Sequence, residues 1–479
     1  MKRKIRSNIL ANMHALENIP PSCINLGDDG TPKTAKFGDE TRGRVSSQAW
    51  KHAIRKYFSI YFSDEWKGQR TLCFGKMVAD IIAGLEPKIN DPFALASEVL
   101  ARVGVEMKEI KKVSAKDSET ADKTNDEAKE VNEEEKDSGQ MTKAIFFGNV
   151  AQANAIANLA VREYRTKVSV ANFLSDENGK PYSGKKIAVI GDALVALLSQ
   201  NPEIKEPEKT VKNLFALAGI KYTVDKKRMP SNEKIPTDLI MGLAAFACEE
   251  CDFSKEAYEA ALQSEPSMDM VLFGRMFAKN NNLNIDACCQ VAHALTTNVV
   301  QVEWDYYCTI DELKGTKGAA MIGEIPYFSG TLYRFTCINV TDLVEYDMGE
   351  SVPDIVQGYL EAFAKSMPTG KINSFGNSVL PEYIYLTVCN DRPLNLVNAF
   401  ERPIVSDGEG IFLKSEFALA NKAQKIYDSG IVEKPAFEAY MDIEGDGPTL
   451  GTKMRFDEML EALNKYLTDR LYSASENKE

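Results

Sequence analysis

The chain has 479 residues and a formal net charge of -13, with 57 Lys and Arg against 70 Asp and Glu. That balance excludes a surface that coats nucleic acid over its whole extent, but not a local basic groove, because exposed charges are screened within about 10 Å. Apolar residues make up 44%, enough for a sizeable core in two or three domains, and no run approaches the roughly 20 apolar residues of a membrane span.

The start, MKRKIRSNILANMHAL, is basic but leads into neither a long apolar run nor a small-residue cleavage site, so no secretory signal is expected. Nine scattered cysteines fit a reduced, cytoplasmic protein. Residues 3–15 predict a strand with Ile5, Ile9 and Leu10 as apolar members. The next stretch, ENIPPSCINLGDDGTPKTAKFG, reads as a loop from its Pro, Gly, Asp and Thr. A helix begins at about residue 46, because Trp50, Ala53, Ile54, Tyr57 and Phe58 fall on one face. Residues 64–105 read as helical, with MVADIIAGL and PFALASEVLARV as the clearest pieces. Residues 106–142 hold twelve acids and seven bases with almost no aromatics. Such a segment cannot bury enough surface to offset its ordering and is expected to be a disordered or surface insertion.

Residues 144–290 again read as mainly helical, and IDACCQVAHALT is included among the helical pieces. Beyond 296 the pattern changes. NVVQVEWDYYCTI, GTLYRFTCINV and EYIYLTVCN are rich in β-branched and aromatic residues and predict strands. Between the first two, DELKGTKGAAMIGEIPYFS suits a protruding hairpin. Helices are expected at 352–366 and about 456–471. The outline is an α+β domain split by a large helical insertion.

On the helix starting near residue 46, Ser47, Gln48, Lys51, His52 and Arg55 share a polar arc opposite the apolar face. Ser46 and Ser47 stand at its amino end, where free N–H groups and the positive dipole end favour an anion, and Arg44 lies just upstream. Hydroxyls, amides and cations at one spot match a phosphodiester. An ordinary surface helix with a serine N-cap explains the same pattern. Residues 1–58 carry eleven Lys and Arg against five Asp and Glu, the segregation that one polyanion-binding face would show.

The catalytic inventory is thin. Cys248 and Cys251 form a lone C-x-x-C, half a zinc site without a second pair, and read as reduced thiols. His293, in CQVAHALT, reads as a satisfied core residue on an apolar helix. Asp28 and Asp29 have the chemistry to hold a divalent ion, although a solvated turn with Gly30 accounts for them as well. GKKIAVIGDALV contains no phosphate-binding glycine pattern, so no nucleotide cofactor is expected.

Taken in order, PPSCINLGDDGTPKTAKFG, RGRVSSQAWKHAIR, LFGRMF, DACCQVAHALTT, YFSGTLYRF and GKINSFGNSVLPEY resemble the CasC backbone subunit family of type I-E CRISPR Cascade. The resemblance runs from about residue 8 to 405. It implies a modified RRM-like (ferredoxin-like) palm from residues 1–60, 292–308 and 332–479, helical fingers over 61–291, and a hairpin thumb at 309–331. It further implies a non-catalytic subunit of an antiviral surveillance complex, free of cofactors and of membrane contact. Copies would stack head to tail along CRISPR RNA, an open contact that builds a filament, beside other Cascade subunits. The kinked guide would be presented to target DNA, with sequence read by base pairing.

By the same resemblance, Lys33, Arg44, Ser46, Ser47, Gln48, Lys51 and Arg55 bind RNA, and Met276 sits near a displaced base. In the thumb, Met321 and Ile322 are the expected wedge and Lys314 and Lys317 the expected phosphate contacts. Lys185, Lys186, Lys226, Lys227 and Arg228 are candidates for DNA contact by the fingers. The chain departs from the family at Leu26-Gly27, where relatives often carry an arginine, and at His52, which replaces a usual cation. The alternative is a metal-dependent ribonuclease backbone of the type III kind, using Asp28. A helical scaffold for proteins alone is a third possibility.

Overall fold

The computed structural model describes residues 8–62, 67–108, 141–201, 204–223, 234–248, 252–313, 316–346, 352–408 and 410–472. The expected charged insertion therefore falls largely outside the described residues, as do Lys314 and the finger residues Lys226, Lys227 and Arg228. The chain forms two compact units. The first comprises 1–67, 267–275 and 285–479; the second comprises 68–266 and 276–284.

In the first unit, β1 (Leu10–Ser22), β2 (Thr34–Phe37) and β3 (Glu40–Val45) precede helix α1 (Ser47–Tyr61). The second unit contains two short ladders. In one, β4 (Gln69–Thr71) pairs with a later strand; in the other, β5 (Met107–Lys108) pairs with β6 (Met141–Thr142). The partner of β4 is β7 (Phe146–Gly148). Helices such as Phe74–Leu85, Pro92–Arg102, Val150–Phe173 and Gly184–Leu198 make up most of the second unit. Their apolar stripes close two cores, one around Phe74, Val99 and Ile156 and one around Ile190, Leu194 and Phe215.

The chain then returns to the main sheet with β8 (Cys289–Val291), β9 (Ala294–Thr296), β10 (Glu303–Asp311), β11 (Thr316–Asn339), β12 (Tyr383–Cys389), β13 (Phe437–Asp442) and β14 (Thr452–Lys453). The sheet order is β14-β13-β12-β1-β11-β9-β3-β2, with β8 and β10 also paired to β11. Every pairing is antiparallel except β13 with β14. The architecture is α+β, as the sequence predicts.

The sheet is buried on both faces, which is why its central strands read as continuous apolar runs. Along β1, Ala11, Met13 and Ala15 enter one core with Ile54 and Phe58 of α1 and Tyr359, Phe363 and Leu463 of the helices behind it. Leu10 and Leu16, one step out of phase, enter the other core with Tyr333, Tyr385 and Leu419. The two periods, 2 in the strand and 3.6 in the helices, thus meet in separate layers.

Several expectations need correction. The first strand runs from Leu10 to Ser22, so part of the expected loop is strand and the connection shrinks to 23–33. IDACCQVAHALT is not helical; it supplies β8 and β9. Its apolar residues fit a strand buried against β11 as well as they fit a helical stripe, and the pairing of Thr336 to Ile338 with Cys289 to Val291 decides between them. The segment 267–275, expected in the fingers, belongs to the sheet unit, because Met268, Val271, Leu272 and Phe273 pack into the core beneath α1. The hairpin expected at 309–331 starts earlier, at Glu303. Helix Phe412–Asp428 was not foreseen.

Candidate nucleic-acid interface

The amino end of α1 is built by the tight loop at 23–33. Leu26 bridges to Pro32, and the Gly27 N–H donates to the Thr31 carbonyl at 2.7 Å. Asn25 ties this loop to the helix twice. Its carbonyl accepts the Lys33 N–H at 2.8 Å, and its side-chain oxygen accepts the Ser46 N–H at 2.8 Å. The Lys33 carbonyl in turn accepts the Arg44 N–H at 2.9 Å. Backbone bonds therefore set Lys33 and Arg44 beside the start of α1.

Ser46 is the N-cap, in extended conformation, with its hydroxyl oxygen accepting the Ala49 N–H at 3.2 Å. It is buried, so its oxygen serves the helix end. Ser47 is half-buried and Gln48 exposed, and no acid occupies the first turn. The anchor of α1 is Trp50, whose ring lies 3.7 Å from the Arg334 guanidinium carbon; Arg334 donates to Glu17 at 2.6 Å in a fully buried pair.

His293 completes this corner. It lies between β8 and β9 and is exposed, which corrects its expected place in an apolar core. Its Nδ1 stands 3.4 Å from the Ser47 N–H, which donates to it, and 3.5 Å from an Arg44 guanidinium nitrogen. Partial burial, then the charges of Arg44 and Lys33, hold the imidazole below its ordinary pKa. The ring is thus neutral at pH 7, accepting at Nδ1 and carrying its proton on Nε2.

The lower part of the helix differs. Arg55 donates from Nε to Asp269 at 2.8 Å, and Asp269 is almost fully buried. Lys51 is half-buried with its ammonium 5.7 Å above the Phe273 ring. Arg42, counted in the basic N-terminal stretch, is 0% exposed and donates to the carbonyls of Thr296, Thr297, Phe400 and Glu401. Lys33, Arg44, Ser47 and His293 therefore converge, while Arg55 and Arg42 hold the fold. Sequence reasoning missed Asn25, His293 and Asp269. An asparagine in a turn and a buried acid carry no periodic signal, and His293 became legible only once its helix proved to be two strands.

In the loop, Asp28 is exposed. Asp29 accepts from the Thr31 N–H and hydroxyl at 3.0 and 2.8 Å, which lowers its carboxyl pKa. Among the described residues no three His, Cys, Asp or Glu side chains are grouped to hold a metal ion. Cys248 is an exposed free thiol, and Cys251 lies outside the described residues.

The hairpin of β10 and β11 carries exposed apolar side chains from its base outward. Trp304, Tyr306, Met321 and Ile322 are each more than half exposed. Met321 and Ile322 are consecutive in one strand, so they point to opposite faces. Ile322 faces Cys308, and Tyr306 faces Glu324. Lys317 lies in β11 opposite Ile310, its side chain outside the description. Glu303, Asp305 and Glu324 make the hairpin base acidic. Met276 is 87% exposed and belongs to the second unit. Lys185 and Lys186 lie in the first turn of helix Gly184–Leu198 in that unit, and the Lys186 ammonium sits 3.6 Å over the Tyr182 ring.

A family model described as CT1975-like protein matches residues 11–463. A solved chain described as "CRISPR RNA-guided surveillance complex, pre-nicking" has the same fold, with a TM-score of 0.59 at 23% identity, covering 95% of this chain and 100% of its own. A second, described as "CRISPR RNA-guided surveillance complex", gives 0.54 at 22% identity and covers 95% and 99%. No curated protein matches.

Proposed function

This chain belongs to the CT1975-like protein family, and from that premise we propose that it is a guide-RNA-holding subunit of a CRISPR RNA-guided surveillance complex, the assembly in which chains of this fold occur. The observation that supports this most is the amino end of α1, where Lys33, Arg44, the helix dipole and the neutral His293 gather around Ser47 with no acid in the first turn. A sugar–phosphate chain supplies the anion and the acceptors such a corner wants.

More finely, we read the chain as a non-catalytic backbone subunit of the type I-E Cascade kind, working in the cytoplasm. The sheet unit is the RRM-like palm, the second unit the fingers, and the β10–β11 hairpin the thumb. Copies line up head to tail on CRISPR RNA among other Cascade subunits, and the exposed guide segments pair with target DNA.

The test is guide binding as a function of salt. Each single-stranded phosphate contact contributes about 0.7 to the slope of log affinity on log salt. Replacing Lys33 and Arg44 together by Ala is expected to lower affinity at least tenfold and to flatten the slope by about 1.4. Unchanged affinity and slope would overturn the proposal.

A further inference from the structure

The connection from helix Val352–Lys365 to β12 contains the turn TGKINSFGNS, residues 369–378. Gly370 lies against the loop that builds the amino end of α1. A Cβ on it would stand 2.5 Å from the Ile24 carbonyl oxygen and 2.9 Å from that of Cys23, so a side chain there would push on backbone. Asn25, which fixes Lys33 and Ser46, is the next residue of that loop. Met367, just before the turn, packs against the cluster of Ile24, Val45 and Trp50. At the far end of the turn the Phe375 ring lies 6.0 Å from that of Tyr327, at the base of the β10–β11 hairpin. The turn therefore spans from the corner at α1 to the hairpin.

Its own hydrogen bonds hold it in shape. The Ser374 and Phe375 N–H groups donate to the Lys371 carbonyl at 3.0 and 3.1 Å, and the Gly376 N–H donates to that of Ile372 at 2.8 Å. Buried Asn377 donates from Nδ2 to the Gly370 carbonyl at 3.4 Å. Lys371 sits in the left-handed region, with φ 50° and ψ 27°. Glycine occupies that region with less strain, as Gly376 does at φ 58°. The strained position nevertheless carries a lysine whose side chain is exposed and whose ammonium makes no ion pair among the described residues. Packing does not call for it, and a strained residue of this kind points to a use for its side chain. Burial raises the Cys23 thiol pKa and the charge of Lys371 opposes the rise, which sets the ammonium near the 23–33 loop. Asn373 and Ser374 are exposed on the same turn and add an amide and a hydroxyl. A cation flanked by neutral donors suits a phosphate and its sugar.

We propose that Lys371 is a further phosphate contact, gripping the guide RNA between the corner at α1 and the hairpin, with Asn373 and Ser374 beside it. This contact rests on the guide-holding role proposed above and lengthens the gripped stretch beyond Lys33 and Arg44. Because glycine suits the left-handed position, Lys371→Gly removes the ammonium and leaves the turn at ease.

The experiment measures binding of the whole protein to a labelled single-stranded RNA of mixed sequence across a salt series, with urea denaturation alongside. Lys371→Gly is expected to unfold at the same urea concentration as the unsubstituted protein or higher. It binds about threefold or more weakly and flattens the slope of log affinity on log salt by about 0.7. Lys371→Arg keeps the charge and restores both affinity and slope. Unchanged affinity and slope in Lys371→Gly, with the Lys33 and Arg44 double variant still losing both, overturns the contact and leaves the guide-holding role standing. Unchanged binding in every variant overturns both. A loss of affinity that leaves the slope unaltered, or that Lys371→Arg does not restore, assigns Lys371 a structural role and overturns the phosphate contact.

Discussion

Arg55 is the residue whose role the structure changes most. On the helical wheel it belongs to the same polar arc as Ser47 and Lys51, yet its guanidinium is turned to the buried Asp269. Removing one partner of such a pair strands the other, so Arg55→Ala is expected to lower unfolding stability by about 1–3 kcal/mol. Urea denaturation should show Asp269→Ala in the same background restoring part of the loss, the mark of direct coupling. Lys33→Ala with Arg44→Ala should leave stability nearly unchanged while weakening guide binding. A double variant of Lys51 and Arg55 would mix both effects. Glu416 sets a separate dependence. Unfolded, its carboxyl titrates in the ordinary range near 4.5; folded, burial and then the charges of Asp442, Glu382 and Glu444 raise it to about 8. The folded protein keeps a proton that the unfolded chain has given up, so this contribution is whole below pH 4.5 and is lost as pH rises through 8. Glu416→Gln should flatten the fall in melting temperature between pH 5 and 8.5; an unchanged profile would assign that fall to other groups.

At the scale of elements, α1 was legible because three independent signals agreed: the apolar face, the serine cap and the first strongly periodic run after a Pro- and Gly-rich stretch. The structure begins the helix at Ser47 with Ser46 as its cap. The hairpin was legible from its Gly-rich tip, but its length was not. β11 is 24 residues long because one continuous strand serves both the hairpin and the sheet, spanning about 80 Å at 3.3 Å per residue. Sequence patterning changes along it from exposed to buried, which reads as two elements. Met321 and Ile322, each 58% exposed, lie on opposite faces of the hairpin. Asp at either position should shift stability by no more than about 0.5 kcal/mol. If the hairpin is a wedge, both should quench the unstacked-base signal of a guide carrying 2-aminopurine at the kink positions. Loss with only one would name the working face, and loss with neither would remove the wedge.

For the whole molecule, the sheet unit and the helical unit each bury their own cores. The head-to-tail stacking proposed above has no closing symmetry, so it would take the length of the assembly from the template. Native mass spectrometry on guides of two lengths is expected to show copy number rising in steps with guide length. A fixed copy number on both guides would refute templated stacking.

The sequence by itself determined the class of fold, the position of α1 and the basic character of its amino end. Periodicity, capping and local charge are properties of neighbouring residues, and they survive in one dimension. Tertiary structure alone decided where those charges are directed. Arg42, Arg55, Arg44 and Lys33 look alike along the chain, but Arg42 and Arg55 are spent on carbonyls and a buried acid contributed from more than 200 residues away, whereas Arg44 donates to the nearby Thr34 carbonyl and stands beside His293 at the start of α1. The same long-range packing brought His293 to Ser47 and left Glu416 without a donor among the described residues, because partners are assigned by which strands and helices meet, and that is settled only when the sheet closes.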